Sequence, residues 1–274
     1  MQIKNLMSEN LVTIDKDQNI CDALRLMKKH KISRIPVINT NENHEKELVG
    51  IVAEKDIATK LGSSKYGHLA PSHFHISTVM IKDVVTADET MDVDKTAKLI
   101  LEKNIGAVPV TSNGALVGII TKSDFIDICK GKAYEKILAE KIMSSELISV
   151  SAQDRLVHAR RVIMDSNIGR LLINENDELA GILTSKDIAR ALTSFRKHVR
   201  EKYQQAQIKN ILVEEVMSEN VRTLSTGSTV TDVANAMLET GYNGYPIVNE
   251  DDTVVGIVTQ SDLLGLIVDL ELAE

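Results

Sequence analysis

Four aspartates share one local pattern that could bind a sugar or a phosphate. Each stands six residues after a glycine and, in three cases, three residues after a threonine. An ionised carboxylate can accept both hydrogen bonds of a cis-diol, and such charge-assisted bonds are strong. The free backbone N–H groups at the start of a helix also attract phosphate. The aspartates are Asp56, Asp124, Asp187 and Asp262, and the hydroxyl residues beside them are Thr121, Ser123, Thr184, Thr259 and Ser261.

The same pattern also has a purely structural interpretation. Thr-x-x-Asp before an apolar helix is a capping box, which needs no ligand. The first copy helps to separate the two interpretations, because Ala53 replaces the threonine while Asp56 is kept. A reciprocal cap is not expected there, which favours a binding role for Asp56. One carboxylate can nevertheless both bind and cap.

Two arginines occupy equivalent positions upstream of these aspartates. Arg34 and Arg170 each stand two residues before a proline or its replacement, Leu172. A guanidinium can bond two phosphate oxygens at once, and the structural alternative is a surface arginine whose stem covers a strand end. Ala107 and Tyr245 are assigned to this place in the other two copies. We therefore expect one phosphate-binding site and one weaker or empty site in each pair of copies.

Three further observations bear on metal binding, nucleic-acid binding and catalysis. His68, His73 and His75 could hold a metal, but no carboxylate or cysteine closely flanks them, and a mobile polar loop is the preferred interpretation. The basic run from Arg196 to Lys202 is interpreted as the solvated face of a helix, with nucleic acid or an acidic partner as the alternative. No Gly-x-Ser-x-Gly, Gly-x-x-x-x-Gly-Lys or His-Glu-x-x-His pattern occurs, which disfavours an enzyme.

The aspartates belong to four copies of one segment. A methionine opens each copy about 45 residues before the aspartate, and a short run with a hydroxyl residue follows it. The first and third methionines are 136 residues apart (143 − 7), and the second and fourth are 137 apart (217 − 80). The unit is therefore a duplicated pair. The methionines are Met7, Met80, Met143 and Met217, and the hydroxyl residues are Thr13, Thr86, Ser149 and Thr223.

Each copy predicts the order strand, helix, strand, strand, helix, which gives an α/β (α+β) fold. The first helix has helical apolar spacing at Ile20, Ala23, Leu24 and Met27. The strands are short and apolar on both faces, as expected beneath helices. The second helix is expected to start at the aspartate. One copy cannot cover its own apolar sheet face, so two must pack together.

Composition narrows the class of protein. The chain of 274 residues is 43% hydrophobic, which suffices for packed cores in about two domains. Aromatic residues are only 3%, which disfavours base-stacking platforms. A net charge of −7 disfavours a surface that tracks nucleic acid or anionic lipid. Cys21 and Cys129 have no metal-ligand spacing, and no apolar run predicts a leader or a membrane span. We expect a soluble, cytoplasmic protein.

The fourfold series of Met, apolar-Thr, apolar-Pro-Val and Gly-apolar-x-Thr-x-x-Asp resembles CBS domains, the cystathionine β-synthase motif. The series resembles two tandem pairs, called Bateman modules, and its layout is similar to the nucleotide-binding γ subunit of AMP-activated protein kinase. The linkers, such as residues 61–77 and 195–211, leave no room for a catalytic domain. The expected repeats span residues 1–62, 75–133, 138–196 and 212–274, and the expected modules span 1–133 and 134–274.

The resemblance implies clefts between paired repeats that hold AMP, ADP or ATP, with S-adenosylmethionine less favoured and with no metal or catalytic cofactor. It assigns ribose to Asp56, Asp124, Asp187 and Asp262. It assigns further ribose or phosphate contacts to Thr121, Ser123, Thr184, Thr259 and Ser261, and to Thr13, Thr86, Ser149 and Thr223. It assigns phosphate to Arg34 and Arg170, and the backbone edge that meets adenine to the segments around Ile35, Val108, Leu171 and Tyr245, with Ala107 beside Val108.

These expectations favour a non-catalytic regulatory protein whose nucleotide occupancy changes how its modules pack or meet an effector protein. The two modules are expected to form an intramolecular disc, or the chain to form a homodimer. The alternative is a nucleic-acid-binding or structural adaptor with vestigial clefts, which would use the basic run. An enzyme that turns over the nucleotide is the third candidate.

Overall fold

The computed structural model describes residues 1–40, 46–62, 70–176 and 178–271. It confirms the predicted mixed α/β fold with four copies of the repeat. The first repeat contains β1 (Ile14–Asp15), α1 (Ile20–His30), β2 (Arg34–Thr40), β3 (Lys46–Ala53) and α2 (Glu54–Leu61). The second contains β4 (Ala87–Asp88), α3 (Val93–Glu102), β5 (Ala107–Ser112), β6 (Ala115–Thr121) and a 3-10 helix (Lys122–Lys130).

The second half repeats this order. The third repeat contains β7 (Ser149–Ser151), α4 (Leu156–Asp165), β8 (Arg170–Glu175), β9 (Glu178–Thr184) and α5 (Ser185–His198), which α6 (Glu201–Gln207) follows. The fourth contains β10 (Leu224–Ser225), α7 (Val230–Thr240), β11 (Gly244–Val248), β12 (Val254–Thr259) and α8 (Gln260–Glu271). In each sheet the first strand runs parallel to the second, and the second runs antiparallel to the third.

The second helix of each repeat starts two residues earlier than expected. The aspartate is its third residue, because the residue three positions upstream has extended backbone and serves as the N-cap. In the second repeat this element is a 3-10 helix rather than an α-helix. The first helix matches its prediction, since Ile20, Ala23 and Met27 are buried and Leu24 packs against them.

The chain forms two compact units. Unit 1 contains residues 1–11, 85–147 and 222–274, and unit 2 contains residues 12–84 and 148–221. In unit 2, α2 packs against α5, and one apolar core takes side chains from the first and third repeats. In unit 1, α8 packs against α3 and the 3-10 helix, and the core takes side chains from the second and fourth repeats. The expected module bounds, 1–133 and 134–274, stay a prediction.

Each methionine that opens a repeat lies against a glycine of another repeat, the one that stands six residues before the aspartate. A Cβ built on Gly118 would lie 2.5 Å from Met7 Sδ, and one on Gly50 would lie 2.6 Å from Met80 Sδ. Met217 stands in the same way over Gly181, and Met143 over Gly256. No side chain fits between these atoms, which explains the glycine. The chain changes unit four residues after each methionine, at Leu11, Val84, Leu147 and Val221.

Backbone hydrogen bonds fix each methionine segment. The residue after Met7 pairs with the third strand of the second repeat: Ser8 N–H donates to the Ile119 carbonyl at 2.9 Å, and Ile119 N–H donates back at 3.1 Å. Equivalent two-bond bridges recur in the other copies, joining Ile51 to Ile81, Ile182 to Ser218 and Ser144 to Ile257. The methionine segment therefore continues the sheet beyond its third strand.

The same bridges explain three of the four prolines. Pro109 stands opposite Ile119, whose carbonyl already accepts the Ser8 N–H, so Ile119 does not need the N–H that proline lacks. Pro36 and Pro246 have equivalent partners, Ile51 and Ile257. In the third repeat Leu172 stands there instead, and β7 begins one residue earlier to pair Ser149 with it.

Within the described residues, no helix is long and apolar enough to cross a membrane.

Replacing Gly118 by alanine should destabilise unit 1 by about 1–3 kcal/mol, because the new methyl group overlaps Met7. Combining it with Met7→Ala should cost less than the sum of the two single changes, because the clash disappears. Chemical denaturation of the two single variants and the double variant measures this coupling. Gly131→Ala is the control, since its Cβ would meet nothing nearer than 3.4 Å. Additive losses would contradict the proposed contact.

Candidate functional site

The sheet register shows which side chain of the second strand faces the cap of the second helix. Arg34 pairs with Ala53, and Arg170 pairs with Thr184. In unit 1 the corresponding pairs are Ala107 with Thr121 and Gly244 with Thr259. The assignment of Tyr245 to the arginine position was therefore one residue out of register, and Gly244 holds that place.

The Tyr245 ring faces the core rather than a cleft. Its side chain is buried, and its hydroxyl donates to the Ala236 carbonyl at 2.9 Å and lies 2.6 Å from Thr240 Oγ1. Strand alternation places the equivalent side chains of the other repeats on the same face. Those side chains, Ile35, Val108 and Leu171, are likewise buried. Only the backbone at these positions could meet a ligand.

All four candidate aspartates close a helix cap through one carboxylate oxygen. Asp124 Oδ2 accepts hydrogen bonds from Thr121 N–H at 2.6 Å and from Thr121 Oγ1 at 2.9 Å. Asp187 and Asp262 accept the same two bonds from Thr184 and Thr259, at 2.5–2.9 Å. Every one of these bonds ends on Oδ2, so Oδ1 receives none of them. The capping interpretation is therefore correct, and it leaves half of each carboxylate for another donor.

The first repeat keeps half of this cap. Asp56 Oδ2 accepts the Ala53 N–H at 2.7 Å, although Ala53 has no hydroxyl to offer in return. As expected, the cap is not reciprocal here, but the aspartate half of the box forms nonetheless, because it needs only a backbone N–H. The persistence of Asp56 beside Ala53 therefore does not separate binding from capping.

Burial disfavours the charged forms of the ionisable side chains at these positions. It raises the pKa of Asp56 and of Asp124, and cap hydrogen bonds offset part of that rise. Burial also lowers the pKa of Arg34, against the attraction of the Asp56 and Glu54 charges. Arg34, Glu54 and Asp56 therefore lie close together where β2 starts and α2 begins.

A buried carboxylate lies within a charged group where α2 and α5 begin in unit 2. Glu54 is 5% exposed, and its Oε1 lies 3.8 Å from a guanidinium nitrogen of Arg190. Burial raises the pKa of Glu54, whereas Lys186, Arg190 and Arg34 lower it and Asp187 raises it further. The candidate positions of the first and third repeats thus share one electrostatic environment. Sequence reasoning missed Glu54.

In unit 1, side chains cross between the second and fourth repeats at the equivalent place. Lys122 Nζ donates to Ser261 Oγ at 2.7 Å, and Gln260 Nε2 donates to Ser123 Oγ at 2.9 Å. Lys122 and Gln260 are the first residues of their helices, and the two serines are the second residues. The candidate hydroxyls Ser123 and Ser261 therefore contact a residue of the other repeat. No local motif indicates these contacts.

A cavity of about 350 Å³ adjoins the start of α8 in unit 1. Ser261 and Asp262 line it together with Lys141, and Gly265 lies on its wall. A Cβ built on Gly265 would meet no atom within 4 Å, so the glycine faces open space. Of the four candidate aspartates, Asp262 lines this cavity.

The candidate hydroxyls of the first strands are accessible. Thr86, Ser149 and Thr223 are exposed and Thr13 is half-buried. Ser149 Oγ accepts a bond from Asn174 at 3.3 Å, which fixes it to the neighbouring strand. The register places Thr13 just before Ile14, which pairs with Val37 in the middle of β2.

A family model described as "CBS domain" matches this chain at residues 3–63, 76–131, 139–194 and 213–269. The chain belongs to the CBS domain family. This confirms the resemblance drawn from the four motif series.

The CBS repeats are also found together in relatives of similar length. Protein MJ1225 of Methanocaldococcus jannaschii is 27% identical over 96% of this chain and 97% of its own length. Its crystal structure, described as a proposed archaeal homologue of γ-AMPK, superposes with a TM-score of 0.85 over 97% of this chain and all of that one. A Pyrococcus horikoshii protein shares the fold, with a TM-score of 0.63 and 23% identity over 97% of this chain and 99% of its own.

A CBS domain pair has been crystallised with adenosine compounds. The pair from protein MJ0100 was obtained in complex with 5′-methylthioadenosine and S-adenosyl-L-methionine. It is 30% identical to 48% of this chain, covers 98% of its own length and has a TM-score of 0.41.

Two secondary expectations for these CBS repeats need revision. His68 lies outside the described residues, but residues 71–73 and 76–78 form 3-10 helices, and His75 Nδ1 lies 2.7 Å from the Asp17 carbonyl. This segment packs on the first repeat, because Phe74 and Ile76 are buried. The expected loop is ordered there. The described residues contain no group of three or more His, Cys, Asp or Glu side chains placed to hold a metal.

The basic run is not one solvated helical face. Helix α5 ends at His198 and α6 starts at Glu201. Arg196 is 4% exposed, its guanidinium donates to the Leu61 carbonyl, and it lies 5.7 Å from the centre of the Phe74 ring. Arg196 is therefore a core residue of unit 2.

Within the described chain both cysteines are free, and burial raises the pKa of Cys129 to about 12.

Replacing Glu54 by glutamine should stabilise the protein at pH 7. Because burial raises the pKa of Glu54 in the folded state, the folded chain binds this proton more tightly than the unfolded chain. Its contribution to the free energy of unfolding therefore falls as pH rises from about 4.5 through the raised value. Glu54→Gln should raise Tm by roughly 2–4 °C at pH 7, and the gain should vanish below pH 4.

Thermal unfolding from pH 4 to pH 8 measures this difference, and Glu47→Gln, an exposed position on β3, is the control. A lower Tm for Glu54→Gln at pH 7 would show instead that attraction to Lys186 and Arg190 outweighs the cost of burial.

Proposed function

We propose that this CBS protein is a non-catalytic regulator that binds adenosine nucleotides, namely AMP, ADP or ATP, at its repeats. The observation that carries the proposal is the fourfold arrangement of a capping aspartate whose bonds all end on Oδ2. A ribose diol can then donate to Oδ1 while the helix cap stays intact. Binding and capping, which compete as interpretations of the sequence, are compatible in one carboxylate.

The positions of the charged groups support a nucleotide over a neutral sugar. Arg34 and Arg170 stand opposite the cap residues of their repeats, at the start of the second strand. Burial raises the pKa of Asp56 and Asp124 because it removes water from their carboxylates. Two diol hydroxyls would replace hydrogen bonds that this water made. The adenine would meet only aliphatic groups and backbone, since the Tyr245 ring is buried.

The proposed contacts follow the same assignment in every repeat. Ribose is bound by Asp56, Asp124, Asp187 and Asp262. Hydroxyl contacts come from Thr13, Thr86, Ser149 and Thr223, and from Thr121, Ser123, Thr184, Thr259 and Ser261. Phosphate is bound by Arg34 and Arg170, and the adenine meets backbone near Ile35, Ala107, Val108, Leu171 and Tyr245.

The regulatory part of the proposal rests on family and architecture. CBS-domain proteins are generally regulatory rather than catalytic, and the four matched CBS segments occupy most of this chain. The similarity to MJ1225, described as a proposed γ-AMPK homologue, supports energy sensing.

The free thiols of Cys21 and Cys129 are typical of a reducing compartment, which supports a cytoplasmic location. Occupancy would act on an effector protein through the packing of the repeats. The burial of Arg196 removes it from the basic run that a nucleic-acid adaptor would use.

Thermal unfolding with AMP, ADP, ATP or S-adenosylmethionine tests this function. A ligand at 100 times its Kd should stabilise the folded chain by about 2.7 kcal/mol. Calorimetric titration with the best ligand then counts the sites, and Asp187→Asn should remove one site if the third repeat is occupied. No stabilisation by any of the four compounds at millimolar concentration would contradict the proposal.

A matched control separates binding from capping. Asp232 caps α7 through the same two bonds, from Thr229 N–H at 2.8 Å and Thr229 Oγ1 at 2.7 Å, but it lies at the first helix of its repeat. Asp232→Asn should lose cap stability and keep every site. If both variants lose a site, the loss reflects instability and Asp187 is not a ligand contact.

A further inference from the structure

We propose that Lys122, from the second repeat, is the phosphate-binding and specificity-determining residue for the ligand site of the fourth repeat. This inference rests on the proposed function. Lys122 Nζ donates to Ser261 Oγ at 2.7 Å, across 139 residues of sequence. Ser261 precedes Asp262, the proposed ribose carboxylate, and both residues line the cavity of about 350 Å³ beside α8. The lysine thus places a positive charge against a wall residue of that cavity.

The fourth repeat lacks the cation that the first and third repeats provide for themselves. Where they have Arg34 and Arg170, it has Gly244, and the next residue, Tyr245, is directed into the core. The sequence alone therefore predicts a weak or empty site here. Lys122 replaces the missing charge from a different repeat.

The second repeat receives no such charge in return. The side chain that crosses to its hydroxyl Ser123 is Gln260, an amide that also bonds Asn243 Oδ1 at 3.0 Å. Ala107 stands at its own arginine position. The pair of crossing contacts is therefore symmetric in geometry and unequal in charge. Phosphate recognition in unit 1 is assigned to the fourth repeat.

The walls of the cavity define the chemical class of the ligand. Asp262 accepts a ribose diol, and Ser261, to which Lys122 donates, then faces the 5′ substituent and brings the lysine charge beside it. Lys141 adds a second positive charge to the wall, and Asp269 adds a negative one. A nucleoside 5′-monophosphate meets these requirements better than an uncharged nucleoside, and the volume is within the range of small-molecule sites.

Gly265 provides a way to isolate this site in the intact chain. Because a Cβ there meets no atom within 4 Å and the residue lines the cavity, Gly265→Leu should fill the cavity without disturbing the core. The difference between the wild-type and Gly265→Leu calorimetric isotherms therefore reports the fourth site. AMP and adenosine are the two probes.

At the fourth site, as that difference reports it, Lys122→Gln should weaken AMP binding by about tenfold or more, as expected for a lost charge-assisted bond. It should leave adenosine binding at this site unchanged. Lys122→Arg should keep the preference for AMP. Gln260→Ala is the matched control, and it should leave AMP binding at this site unchanged. Circular dichroism and Tm verify that each variant is folded.

The outcomes separate this inference from the proposed function. If wild-type protein binds none of AMP, ADP and ATP, the proposed function itself fails, and if it binds ADP or ATP but not AMP, only the role of Lys122 is wrong. If it binds AMP but Gly265→Leu removes no site, or if Lys122→Gln leaves the AMP-to-adenosine preference of the fourth site unaltered, the role of Lys122 is wrong and the other sites are unaffected.

Discussion

The close approach of a methionine sulfur to a glycine that has no side chain is the contact on which this structure depends. It occurs four times, and each time the methionine belongs to one repeat and the glycine to another. The two backbone bonds that follow hold the methionine segment on the edge of the third strand. The glycine also lies six residues before the capping aspartate, so the same motif fixes the sheet edge and the helix start.

The helix start then concentrates polar chemistry in a small space. The cap residue is extended, so it still belongs to the third strand and stands opposite the first residue of the second strand. The carboxylate three residues later folds back to bond it. A side chain from the second strand and an acid from the helix are thereby brought together by local geometry alone. The first two residues of each second helix lie near the other repeat of the same unit. In unit 1 Lys122 donates to Ser261, and in unit 2 Glu54 lies near Lys186.

Much of this could be predicted from the sequence, and the failures have physical causes. The repeats, their element order and the buried face of α1 follow from periodicity, because each pattern is local. The position of Tyr245 was misjudged by one residue, and in a strand one residue exchanges the core face for the outer face. The helix start was misjudged by two residues because the aspartate was taken as the first helical residue, whereas the two residues between the cap and the aspartate are already helical. The crossing contacts of Lys122 and Gln260 could not be predicted, since their partners are 139 and 137 residues away.

The way the chain alternates between its two units has a consequence for its synthesis. Unit 2 is complete once residue 221 has been made, because its segments run from 12 to 84 and from 148 to 221. Unit 1 contains the first residues of the chain but also residues 222–274, so its core closes last. During translation the apolar side chains of the second repeat, such as Ile100, Val108 and Phe125, must wait for α7 and α8. The early half of the chain thus emerges with an unfinished apolar surface, which is a feature of long-range topology and a hazard for aggregation.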